Sequence, residues 1–124
     1  MAPQTAAGRV VEFVQMAARG DVREAYARHV AEDFVHHNPW FAQDRHSLLE
    51  AMEQSAADEP NKAFEVQQVI AEGERVAVHS RLIRASGEQY AVVHIARLVD
   101  GRIVELWDMA QPVPEDSPNI LGMF

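Results

Sequence analysis

Apolar residues recur at a helical interval in the first half of the chain and at a strand interval in the second. Val10, Phe13, Val14 and Ala17 stand at i, i+3, i+4 and i+7, which puts them on one stripe of a helix predicted to end near Arg19-Gly20. Asp21 and Glu24 have the spacing of a capping box, and Val22, Ala25, Tyr26, His29 and Val30 then share one face of a short second helix. Phe34 to His37 reads as a strand that stops at Asn38-Pro39, because proline donates nothing to a ladder and pushes its predecessor out of the helical region. A loop with Trp40 and Phe41 follows. Asp44 then caps a third helix, with Leu48, Leu49, Met52 and Ala56 on its apolar side, until Asp58-Glu59-Pro60 breaks it.

Beyond residue 62 the segments Phe64 to Ala71, Arg75 to Ala85, Tyr90 to Val99 and Arg102 to Met109 are rich in β-branched and apolar residues. Glu72-Gly73-Glu74, Ser86-Gly87 and Asp100-Gly101 separate them. Asp100 and Gly101 both tolerate positive φ, so a tight turn is predicted between Val99 and Arg102. Helices followed by an antiparallel meander define an α+β domain, here expected to span residues 1–124 with its sheet strongly bent over a pocket. The proline-bearing tail, Gln111 to Phe124, is predicted to be irregular and to pack over that pocket as a lid.

A hydrophobic content of 48% with 24% charged residues is that of an ordinary globular chain and disfavours disordered and fibrous classes. Nothing in Met1 to Gly8 resembles a basic flank followed by an apolar run, and no stretch is long and apolar enough to span a bilayer. The absence of cysteine removes disulfides, thiolate nucleophiles and cysteine-bound metals, and fits a cytoplasmic location. A net charge of -8 with scattered basic residues argues against nucleic acid as a partner.

Strand alternation puts Tyr90, Val92, His94, Ala96 and Leu98 on one face, aiming His94 inward. With a tight Asp100-Gly101 turn, the returning strand brings Asp108 beyond the residue facing His94, near Val92 and Ala91, a diagonal across which the two side chains can still meet. Asp108 ends an apolar strand beside Trp107, where loss of water is expected to raise its pKa and make it a general base. It also suits a plain turn cap, and His94 suits a buried, satisfied imidazole, so spacing leaves both readings open. His79 stands on the strand next to that of His94. His36 and His37 must point to opposite faces, Asn38 can orient a substrate carbonyl, and Trp40 with Phe41 can wall a pocket. No His-Glu-x-x-His motif supports a metal, and neither a Gly-x-Ser-x-Gly elbow nor a phosphate loop is present.

Taken in order, the helices, the segment Val35-His36-His37-Asn38-Pro39 and the meander ending Asp100-Gly101-Arg102-Ile103-Val104-Glu105-Leu106-Trp107-Asp108 resemble the SnoaL-like, polyketide cyclase-like family of the nuclear transport factor 2-like superfamily. The stretches Val69 to His79 and Gln111-Pro112-Val113-Pro114-Glu115, with terminal Gly122-Met123-Phe124, are similar as well. The resemblance implies a cone in which helices pack inside a curved sheet, paired as a homodimer through the outer face. It implies Asp108 as base with His94 assisting, while His37, Asn38, Trp40, His79 and Trp107 are expected from their own positions to contact a small-molecule substrate. It also implies chemistry without cofactor or metal, of cyclase, aldol, isomerase or dehydratase type, or else a non-catalytic module that binds a small apolar ligand. Fold alone does not choose between these.

Overall fold

Helix-end chemistry sets the first elements. The structure, a computed structural model, describes residues 4–124; Met1 to Pro3, part of the segment read against a leader, lie outside the described residues. α1 (Ala6–Ala18) starts at Thr5, whose hydroxyl accepts from the Gly8 N–H at 3.0 Å. It closes in a Schellman turn, with the Asp21 N–H donating to the Met16 carbonyl, the Gly20 N–H to Ala17, and Gly20 at φ 100°.

α2 (Val22–His29) follows directly, but the expected capping box is absent, because the Asp21 carboxylate is taken by Arg19 at 2.7 Å and makes no cap bond. Val30, expected on this helix, turns extended instead and opens β1 (Val30–His36), where it pairs with Ile103. α3 (Arg45–Asp58) is capped as expected: Asp44 accepts from the Ser47 N–H at 3.0 Å and from its hydroxyl at 2.7 Å.

β2 (Ala63–Glu72), β3 (Arg75–Ile83), β4 (Gln89–Val99) and β5 (Arg102–Pro112) form the antiparallel meander. β1 joins it in parallel beside β5, so the order is β1-β5-β4-β3-β2. Val76, Val78, Ala96, Leu98, Ile103 and Leu106 on the inner face are buried against Val10, Phe13, Val14, Tyr26 and Leu48 from the helices. Each such side chain contributes about 1.5–3 kcal/mol by leaving water. Phe13, Tyr26 and Phe34 interlock edge to face, at 5.4 and 6.0 Å between ring centres. The result is the expected α+β architecture of helices against a curved sheet. Among the described residues, no helix is long and apolar enough to cross a membrane.

The tail does not form the expected lid. Phe124 stacks on His79, with ring centres 5.6 Å apart, and lies 4.2 Å from the Arg81 guanidinium. His79 and Arg81 alternate out of phase with buried Val78 and Ser80, so the tail crosses the sheet face that points away from the helices. An imidazole and a guanidinium there give a terminal aromatic ring a better seat than the apolar cavity rim does.

Candidate active site

His94 projects from β4 toward the helices with Val92, Ala96 and Leu98, as alternation predicts. Its partner arrives in a different register from the expected one. Val99 faces Arg102 and Leu98 faces Ile103, but Arg97 then faces Glu105, so Val104 is an extra residue in β5. This bulge advances every later residue of β5 by one position and so exchanges its two faces. Asp108 therefore lies directly across from His94, not on a diagonal, while Trp107 pairs with Ile95 and turns outward.

His94 Nε2 and Asp108 Oδ1 are 3.2 Å apart, with side chains only 9% and 16% exposed. The second carboxylate oxygen accepts from the Asn38 amide at 2.9 Å. The Asn38 carbonyl oxygen in turn accepts from the Trp40 N–H at 3.0 Å, an Asx turn that fixes which end of the amide meets Asp108. His36, buried behind this loop, donates through Nε2 to the Ala42 carbonyl at 2.6 Å and accepts from the Asn38 N–H at 3.0 Å through Nδ1. It is spent on holding the loop, and the loop holds Asn38.

Burial is the largest single influence on the Asp108 carboxyl and pushes its pKa up, as the sequence suggested. The bond and charge of His94, the Asn38 amide and the field of His36 together outweigh it, so the net shift is downward and the group is a carboxylate at neutral pH. The expectation of a raised pKa is thereby corrected: the polar partners were not visible from the apolar neighbourhood. Burial holds the nearby Tyr26 phenol far above its usual range, against the opposing charge of Arg45, so it stays neutral. His94 Nδ1 is buried and has no hydrogen-bond partner among the described residues.

The pair opens into a cavity of about 310 Å³ whose apolar wall includes Val14, Ala17, Met52, Phe64, Leu82 and Val92. Ser55 and Lys62 complete its polar lining with Asn38, His94 and Asp108. A volume near 300 Å³ is at the small end of ligand sites, and an apolar wall with a few converging polar groups is their usual form. Among the described residues, no three His, Asp or Glu side chains come close enough to share a metal ion.

Asp108, His94 and Asn38 thus converge, and the other expected contacts do not reach the cavity. His37 lies outside, stacked on Trp107 at 4.9 Å between ring centres, with Nε2 2.7 Å from Glu105. Alternation after inward His36 turns His37 out, and the Val104 bulge turns Trp107 out beside it. His79 pairs with Val93 on the outer face, under Phe124. Trp40 is 84% exposed and, with Phe41, borders a separate open groove along α3. The wall residues Met52, Phe64 and Lys62 were not anticipated. One signal existed for Lys62: it is the only lysine in the chain, placed just before a strand.

A model of the SnoaL-like domain matches residues 10–106, ending just short of Asp108. No curated protein matches the chain. Among solved structures, IdmH of Streptomyces antibioticus, described as a candidate polyketide cyclase, is similar at 20% identity with a TM-score of 0.75, covering 87% of this chain and 93% of its own. AclR of Streptomyces galilaeus, described as a candidate hydroxylase, gives 24% identity, a TM-score of 0.73 and coverage of 86% and 78%. A candidate ketosteroid isomerase from Kribbella flavida gives 20%, 0.74 and coverage of 92% and 83%. These likenesses establish a shared fold. The domain model spans well over half of the sequence, and the chain therefore belongs to the SnoaL-like domain family.

Proposed function

We propose that this protein is a cofactor-independent acid-base enzyme acting on a small carbonyl-containing or polyketide-like compound. The observation that carries the reading is the His94–Asp108 pair, nearly buried and oriented by Asn38, at the wall of a largely apolar cavity. A carboxylate already ionised at neutral pH can take a proton α to a carbonyl without first losing one. Apolar surroundings strengthen its interaction with the developing charge. His94, 3.2 Å from Asp108 through Nε2, orients the carboxylate and sets its imidazole on the cavity wall beside the position of a developing enolate. The enolate can then attack a second carbonyl, be reprotonated elsewhere or expel a leaving group, giving cyclase, isomerase or dehydratase chemistry. Polyketide cyclase and ketosteroid isomerase descriptions among the similar structures support this class.

The test is proton-deuterium exchange followed by NMR on a panel of β-keto and enone compounds. Exchange catalysed by the wild type should fall at least about a hundredfold in Asp108→Asn. One observation favours a second reading, a non-catalytic module that binds a small molecule: both Asp108 oxygens are engaged and its pKa is lowered, as in a settled structural pair. Compounds that bind but do not exchange in the wild type would establish that reading. We further propose a homodimer joined through the outer sheet face, supported by Ile70 and Met109, which are 64% and 50% exposed on the strands.

A further inference from the structure

We propose that Lys62 makes the cavity selective for carbonyl compounds that carry a negatively charged group, a carboxylate being the simplest. Lys62 is the only lysine of the chain, and no arginine joins it on the cavity wall. Its Nζ donates to the Ser55 hydroxyl at 2.7 Å, which leaves two hydrogens of a full ammonium unspent. Among the described residues no carboxylate lies within ion-pair distance of it. Glu59, the nearest acid in sequence, is held by Arg84 through two guanidinium nitrogens. Arg19, which borders the neighbouring depression with Lys62, is paired with Asp21 at 2.7 Å.

In a chain with a net charge of -8, Lys62 thus stands at the site without an acidic partner. Burial lowers the pKa of the ammonium, against the attraction of Glu59, which reflects the water it has already lost. An incoming anion that restores the lost interaction is therefore bound more strongly there than at an exposed lysine. Position fixes the orientation of the ligand. Lys62 immediately precedes β2, and Asp108 lies on β5 with β3 and β4 between them. Repulsion from the Asp108 carboxylate keeps a second negative group away from the dyad. Such a ligand therefore sets its charge at Lys62 and its carbonyl near His94 and Asp108, with its apolar body along Met52, Phe64 and Leu82.

This inference names the substrate class of the proposed active site, but its test needs no turnover. With isotope-labelled lysine the side-chain amine of Lys62 gives a single NMR signal, since the chain has no other. Levulinate, para-acetylbenzoate and an acetylnaphthoate are titrated beside their neutral carboxamides into the wild type, Asp108→Asn, Lys62→Met and Lys62→Arg. At least one acid should bind about tenfold more tightly than its amide and move the Lys62 signal. That preference should persist in Lys62→Arg and in Asp108→Asn, and fall to within about twofold in Lys62→Met. The inference is overturned if every acid binds no better than its amide, or if the preference survives in Lys62→Met. Because Asp108→Asn retains the binding site, failure of the proton-transfer reading would leave this result interpretable.

Discussion

Asn38 shows how a single amide governs the acidity of the proposed base. Its NH₂ group donates to Asp108 Oδ2, and its oxygen is pinned by the Trp40 N–H. In Asn38→Ala the upward push of burial would be opposed only by His94 and His36, so the carboxyl pKa should rise. A carboxyl lowered in the folded state contributes stability that is present above its unfolded value, about 3.9, and is lost as pH falls through the folded value. Asn38→Ala should therefore shift both this acid loss and the acid limb of the exchange rate to higher pH. The rate at neutral pH should still drop about tenfold, because the carboxylate loses the group that orients it and this outweighs its gain in basicity. A pH-rate profile with an unmoved acid limb would show that the amide does not set the basicity of Asp108. The residue types of this site were legible in the sequence, since His94 and Asp108 stood on apolar strands. The choice between His36 and His37 was not, because alternation separates the two but does not say which faces in. That choice rests on bonds from His36 to Ala42 and Asn38, which exist only once the loop has folded back.

At the scale of an element, the decisive feature is one extra residue in β5. Helices, turns and strands followed from periodicity and turn chemistry, and the Asp100-Gly101 hairpin formed with Asp100 at φ 51° and Gly101 at φ 78°. The bulge left a weaker trace. Strict alternation from Ile103 would place Glu105 on the inner face with it, and a carboxylate among apolar neighbours is unfavourable. An inserted residue resolves the conflict, bringing Leu106 and Asp108 inward and leaving Glu105 outside with Arg97 at 3.0 Å. Inserting an alanine between Glu105 and Leu106 should move every later residue of β5 on by one position, turning fully buried Leu106 out and setting Asp108 against Val93. The expected loss is about 2–5 kcal/mol, read as a lower urea midpoint, together with loss of exchange. Val104→Ala keeps the residue count and should keep exchange. If the insertion variant still catalysed exchange, register would not be what brings the acid and the imidazole together.

For the whole molecule, layer order and the class of pocket followed from the succession of helices and meander, whereas the path of the tail did not. Periodicity says nothing about a segment with no repeat, and the partners that seat Phe124 are side chains whose facing depends on the register of β3. The observed path separates two roles that a lid would have merged. Residues 120–124 lie away from the cavity, so removing them should leave exchange within about twofold of the full chain. The same residues place Ile120 and Leu121, 98% and 82% exposed, beside the face proposed for pairing. Apolar side chains that open are removed from water most readily by a second copy presenting the same surface about a twofold axis. Light scattering should therefore give the full chain twice the monomer mass, and the truncated chain a larger monomer fraction at equal concentration. An unchanged dimer would confine the interface to the strands around Ile70 and Met109. Loss of exchange with the dimer intact would instead return the tail to the active site, against the contacts of Phe124 with His79 and Arg81.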